Sequence, residues 1–121
     1  MAYALVVDDN RQMADALVQM LTVLGLKAKA AYGSGPGMVV LGVETPDIVF
    51  LDINMPGVTG HEVLMFLRRE PRLLNTPVVI VTSDDQPETR QRALSLGASQ
   101  VIYKPAEFDA IENVLAEFSL K

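Results

Sequence analysis

A five-fold alternation constrains this chain more than any other feature. Short apolar runs take turns with longer segments of helical spacing. Tyr3 to Val7 (YALVV), Lys27 to Tyr32, Asp47 to Leu51, Val78 to Val81 (VVIV) and Val101 to Tyr103 are strand-like, the second being short and weak. Residues 11–24 carry Met13, Leu17, Met20, Leu21 and Leu24 on one helical face, and Gly25 sits where a helix would stop. Residues 34–43 make a doubtful helix, because Gly35, Gly37 and Gly42 all weaken it. Thr59 with Glu62 three residues on reads as a capping box opening a helix that ends before Pro71. Asp85 and Glu88 flank Pro87 at the start of a fourth helix, which closes at Gly97. Ile111, Val114, Leu115 and Phe118 give the fifth its apolar stripe.

Strands without clean polar alternation, separated by helices, imply a parallel sheet covered on both faces. The expected fold is therefore α/β, a doubly wound (βα)5 arrangement in one domain over residues 1–121, with strand order 2-1-3-4-5. Right-handed crossovers place every strand's C-terminal end on one edge, where ligands bind in open α/β sheets.

Composition narrows the function. The 121 residues suit one domain, and half are hydrophobic, enough for a core. The net charge of −5 lacks the basic balance of a nucleic-acid binder, so no direct nucleic-acid contact is expected. There is no cysteine, which excludes disulfides, thiolate metal sites and a cysteine nucleophile. The start MAYALVVDDN reaches two acids early and does not resemble a signal peptide. No apolar run approaches the ~20 residues of a membrane helix. These readings point to a cytoplasmic protein without a membrane partner.

The strand ends carry the chemistry. The first strand closes on Asp8-Asp9, the third on Asp52, the fourth on Thr82-Ser83 and the fifth on Lys104-Pro105. With the order 2-1-3-4-5 these four strands are neighbours, and three carboxylates, a hydroxyl and an ammonium meet in one shallow pocket. The turn Met55-Pro56-Gly57 after the third strand leaves Asp52 open to solvent. Clustered carboxylates repel, and a hard divalent cation resolves the repulsion. Oxygen-only ligands favour magnesium, with manganese as the alternative ion. Lys104 and Thr82 suit an incoming phosphoryl group, for which positioning and charge neutralisation dominate catalysis. Asp52 is then the nucleophile, forming an aspartyl phosphate.

With these residues together, the whole chain resembles a receiver domain of the two-component response regulators, similar in extent to the single-domain chemotaxis type. The resemblance rests on Asp8-Asp9, on Asp52 within DINMPG followed by Gly60, on Thr82 after VVIV, and on Lys104-Pro105. It implies a flavodoxin-like fold. It also implies that Asp9, Asp52 and the backbone carbonyl of Asn54 ligate magnesium, with Asp8 acting through a metal-bound water. Asp52 would accept phosphate from a phosphohistidine on a histidine kinase or phosphotransfer protein, and Thr82 and Lys104 would bind the phosphoryl oxygens. The Lys104–Pro105 bond would be cis. Phosphorylation would draw Thr82 inward and repack the face of helix four, strand five and helix five. Asn54 and Asp84 would line the path of the water that removes the phosphate.

Departures from the family pattern lie outside this set. The family often has Tyr or Phe three residues before the lysine, where this chain has Val101. Tyr103, directly before Lys104, is expected on the opposite side of the strand. The usual threonine–aromatic coupling is therefore in doubt. Ala106 follows Lys104-Pro105 where Phe is common, and Ser83 follows Thr82 where Ala is usual. Helix four is polar through Glu88, Arg90, Gln91 and Arg92, as a mobile helix would be. Helix five holds Glu107, Asp109, Glu112 and Glu117, with no basic residue before Lys121, so a monomer or weak dimer is expected. Either the chain works by docking to a partner or it is a receiver cut from a larger protein.

Each residue has a plainer reading when taken alone. Asp8-Asp9 alone is a solvated turn and helix cap, Asp52 a turn former, Thr82 a strand-end hydroxyl and Lys104 a surface lysine. Only the shared edge lifts them above this. His61, the sole histidine, is expected to be exposed and inert. Gly33, Gly35 and Gly37 match neither phosphate-loop pattern and read as a flexible turn. The methionines, Met13 and Met20 among them, fit core positions.

The expected function is a phosphorelay switch without turnover of an external substrate. An aspartyl-phosphate phosphohydrolase is the main alternative, though Asn54 stands where such enzymes place a second acid. A flavin module would need a phosphate loop where Asp8-Asp9 would repel phosphate. A degenerate receiver acting only in docking is the fourth reading.

Overall fold

The computed structural model describes residues Met1 to Lys121. Five strands, β1 (Tyr3–Val7), β2 (Lys27–Ala31), β3 (Ile48–Leu51), β4 (Val78–Thr82) and β5 (Gln100–Tyr103), form one parallel sheet in the order β2-β1-β3-β4-β5. Each is followed by a helix: α1 (Arg11–Val23), α2 (Ser34–Val43), α3 (Gly60–Arg69), α4 (Pro87–Ser95) and α5 (Phe108–Glu117). This is the flavodoxin-like doubly wound architecture that the alternation of the sequence implies.

The strands alternate between two apolar layers because successive side chains point to opposite faces. Val7, Leu51, Ile80 and Val101 pack with Leu41 of α2, Val63, Leu64 and Leu67 of α3 and Ala93 of α4. Val6, Phe50, Val81 and Ile102 pack with Ala14, Leu17 and Leu21 of α1 and Ile111, Val114 and Leu115 of α5. Every residue of β3 and β4 is buried, which explains why these segments read as unbroken apolar runs. Edge strand β2 exposes Lys27 and Lys29, which discourages pairing with another sheet. No helix is long and apolar enough to cross a membrane.

Segment 34–43 is a full helix, against the doubt its glycines raise. Tertiary packing overrides propensity here. Gly37 is buried, and a Cβ on it would come within 2.7 Å of Val7 Cγ1. The glycine lets α2 sit close on β1. Gly37→Ala is expected to cost about 1–3 kcal/mol in urea denaturation, as overpacking does. Combination with Val7→Ala should recover most of the packing clash, read as a double-mutant coupling. Simple additivity of the two losses would rule out this packing role.

Local signals hold at the helix ends. The Thr59 N–H donates to Glu62 Oε1 at 3.2 Å, and the Glu62 N–H donates to Thr59 Oγ1 at 3.3 Å, completing the capping box. Gly25 and Gly97 close α1 and α4 with φ of 95° and 106°. A short 3-10 turn, Pro71–Leu73, follows α3 and buries Leu73. No local pattern announced it.

Two expectations need correction. His61 is half-buried, with its Nε2 enclosed and unpartnered. Burial, and then the charge of Arg92, hold its pKa below the usual value, so the imidazole is neutral at pH 7. Val101 and Tyr103 are two residues apart and so share one side of β5, not opposite sides. Val101 is in the core, and Tyr103 at the sheet edge is 40% exposed.

Candidate phosphoacceptor site

The C-terminal edge of the sheet gathers side chains that are far apart in the chain. Asp8 and Asp9 follow β1, Asp52 follows β3, Thr82 ends β4, and Lys104 follows β5. β1 and β3 are adjacent, with Val7 in register with Leu51, so the acids that follow them emerge side by side. Asp8, Asp9 and Asp52 can each offer one carboxylate oxygen, all within 4.8 Å of one another. The Lys104 Nζ lies 2.9 Å from Asp8 Oδ2 and 3.6 Å from Asp52 Oδ1.

The three acids are not equivalent. Asp8 is buried, and both its oxygens are engaged: Oδ1 accepts from the Asn10 N–H at 2.9 Å, and Oδ2 takes the Lys104 ammonium. Asp9 is exposed and makes no side-chain hydrogen bond. The turn after β3 does not leave Asp52 open to solvent as expected: Ile53 and Met55 fold back into the core, and Asp52 is only 5% exposed, accepting a single long hydrogen bond from the Asn54 N–H at 3.4 Å. Burial above all, then the charges of Asp8 and Asp9, push the Asp52 carboxyl up to about 6, while Lys104 and the Asn54 N–H pull the other way. The site therefore holds more negative charge than Lys104 compensates. Three clustered carboxylates with no nitrogen or sulfur donor suit a hard divalent cation.

The Asn54 residue is exposed, and its backbone carbonyl accepts no hydrogen bond within the chain, so it is available as a further oxygen ligand. Gly60 opens α3 against the backbone that follows Asp52, and its N–H donates to the Ile53 carbonyl at 3.0 Å. That contact anchors the turn carrying the acid. The Lys104–Pro105 peptide bond is cis, and the Lys104 N–H donates to the Thr82 carbonyl at 2.8 Å.

Thr82 is fully buried, and its Oγ1 accepts from the Asp84 N–H at 3.1 Å. Asp84 does not join the acid cluster. Its Oδ1 accepts from the Gln86 N–H at 3.0 Å, and its Oδ2 from the Thr89 hydroxyl at 2.7 Å. These bonds hold its carboxyl below the usual range. Asp84 thus ties the end of β4 to the first turn of α4, a link the sequence did not reveal, because Asp84–Thr89 carries no motif. Asn10 was also missed as a partner of Asp8. Its position just before an apolar periodic run was the available signal, since it caps α1 by accepting from the Met13 N–H at 3.1 Å.

The family model described as the response regulator receiver domain matches residues 4–116. Protein PilH of Pseudomonas aeruginosa is 32% identical over 111 residues, covering 92% of this chain and 92% of PilH. The sensor histidine kinase RcsC of Salmonella typhi is 34% identical over 115 residues, 95% of this chain. The chain spans only 12% of RcsC. Among solved structures, the signal receiver domain of the DNA binding response regulator protein (merR) from Colwellia psychrerythraea is similar, with a TM-score of 0.92, 27% identity and coverage of 100% of both chains. Nearly the whole length is matched, and the acids, hydroxyl and lysine stand at neighbouring strand ends: the chain belongs to the response regulator receiver domains of two-component signalling.

Proposed function

We propose that this receiver is a phosphorelay switch that accepts a phosphoryl group on Asp52 from a phosphohistidine of a histidine kinase or phosphotransfer protein. The observation that carries this reading is the position of Asp52. It is a buried carboxylate with unused acceptor capacity, beside one ammonium and two further acids. An Asp52 oxygen attacks phosphorus, the phosphorus–nitrogen bond breaks, and the imidazole leaves with the bond's electron pair. Lys104 neutralises phosphoryl oxygens. The Thr82 hydroxyl accepts from Asp84 with its oxygen, which leaves its own O–H free to donate to the phosphoryl group.

The donor set fits magnesium. Asp9, Asp52 and the Asn54 carbonyl would hold it directly and Asp8 through water, since each Asp8 oxygen already carries a partner, the Asn10 N–H or the Lys104 ammonium. When bound, the ion supplies positive charge against the clustered carboxylates and the phosphoryl oxygens. Magnesium is expected to raise the melting temperature through linkage. Asp9→Ala should remove most of that rise, whereas equal rises in variant and wild type would exclude Asp9 as a ligand.

The switch output runs through Thr82 and Asp84. Inward movement of Thr82 toward a phosphoryl group would release the Asp84 N–H and disturb the contacts that Asp84 makes with Gln86 and Thr89 of α4. This route needs no aromatic at position 101. Asp84→Ala is expected to change the dephosphorylation rate and to increase amide exchange in the first turn of α4. Unchanged values of both would remove Asp84 from the output.

The deciding test is phosphorylation by a small phosphodonor in the presence of magnesium, comparing wild type with Asp52→Asn by intact mass. One added phosphate in the wild type alone supports the switch. Continuous hydrolysis of phosphate esters would favour a phosphohydrolase instead.

A further inference from the structure

A cavity of about 130 Å³ lies between α1, the sheet and the Lys104–Ala106 loop, and opens at one end onto the acid cluster. Its walls are apolar: Met13, Leu17 and Met20 of α1, Phe50 and Val81 beneath, and Ala106 from the loop. Met13 and Met20 are half-buried and line this space, and Met20 also packs against the core layer on this face of the sheet, as expected. Ala106 contributes just a methyl group to the far wall. An apolar cavity of about 150 Å³ stays dry and accepts one benzene ring.

The mouth is different. Asp8, Asp52 and Lys104 border it, two carboxylates against one ammonium, and exposed Asp9 stands nearby. The Asp52 Oδ2 accepts no hydrogen bond within the chain, although the residue is only 5% exposed. That oxygen stays accessible at the mouth and can take a donor from a bound molecule.

We propose that this cavity binds a small molecule consisting of one apolar ring and one protonated amine. The ring lies among the side chains of α1 and the sheet, and the amine donates to Asp52. The apolar volume selects the ring, and the excess negative charge at the mouth selects a cation over a neutral or anionic head. The site needs neither phosphoryl transfer nor a metal, so it stands or falls apart from the proposed function.

The test is a titration of the metal-free protein above neutral pH, followed by backbone amide spectra, with benzylamine, toluene, benzoate and methylammonium as probes. Benzylamine should shift the amides of Met13, Leu17 and Ala106 saturably and bind about tenfold tighter than toluene, the worth of one charge-assisted hydrogen bond. Benzoate, with the wrong charge, and methylammonium, without a ring, should leave those amides unmoved. Ala106→Phe fills the cavity from the loop side, and Ala16→Leu narrows it from the exposed flank of α1, where folding is least disturbed. Each should weaken benzylamine at least about tenfold. The proposal is overturned by non-saturable shifts, by toluene or methylammonium matching benzylamine, or by wild-type binding in both folded variants. If Ala106→Phe does not fold, wild-type binding by Ala16→Leu alone overturns it.

Discussion

Asp52→Asn is expected to abolish phosphoryl uptake and, in the same molecule, to make the metal-free protein more stable above neutral pH. The two effects share one cause. Burial and the neighbouring acids hold the Asp52 carboxyl at about 6, against 3.8 for a free side chain. A carboxyl whose folded pKa is raised binds its proton more tightly in the folded state. It therefore adds stability below the unfolded pKa, near 3.8, and that contribution is lost as pH rises through about 6. Above neutral pH the ionised Asp52 is a burden that asparagine lacks. For an isolated group the raised value would correspond to about 3 kcal/mol. Because Asp8 and Asp52 share Lys104, the expected gain is on the order of 1–2 kcal/mol. Urea denaturation across a pH series reads it directly. The advantage of Asp52→Asn should be present above pH 7 and vanish toward pH 4. A gain that grows on acidification, or phosphate uptake by the variant, would contradict the assignment.

Gly60→Ala should be the most damaging single-methyl substitution near the site. A Cβ at this position would overlap the Asp52 carbonyl oxygen and approach the Ile53 Cα at 2.6 Å. The obstacles are backbone atoms, so no rotamer change relieves them, and either α3 or the Asp52 turn must move. Stability is expected to fall by about 2–4 kcal/mol. The labelling rate of Asp52 should also drop under conditions where the variant is still folded, because the acid loses its rigid support. Gly35 is the control: a Cβ there meets nothing within 4 Å, and it lies in α2. Gly35→Ala should be neutral or stabilising by up to about 1 kcal/mol through helix propensity. Equal outcomes for the two glycines would show that close backbone approach is not what position 60 requires.

Much of the fold was legible in the chain because its signals are local. Strand runs, helical stripes, the Thr59–Glu62 capping box and the stops at Gly25 and Gly97 each depend on residues within a few positions. The candidate site was legible for a related reason. In a parallel sheet with right-handed crossovers, a residue just past any strand must emerge at the same edge. Asp8, Asp9, Asp52, Thr82 and Lys104 could thus be grouped before any distance was known.

What local pattern could not decide were the matters of contact between distant segments. Helix α2 forms despite its glycines because Gly37 packs on Val7, thirty positions away, and such a contact leaves no mark in either stretch alone. The inequality of the acids, with both Asp8 oxygens partnered, Asp52 buried and short of donors and Asp9 without a side-chain partner, depends on where Lys104 and Asn10 come to rest. The same holds for Asp84, drawn to α4 by Thr89, and for the cavity beside α1. Periodicity along the chain determined which elements exist and which edge gathers the polar groups. Only three-dimensional packing decided which of those groups are satisfied, because burial and hydrogen bonding are properties of neighbours in space.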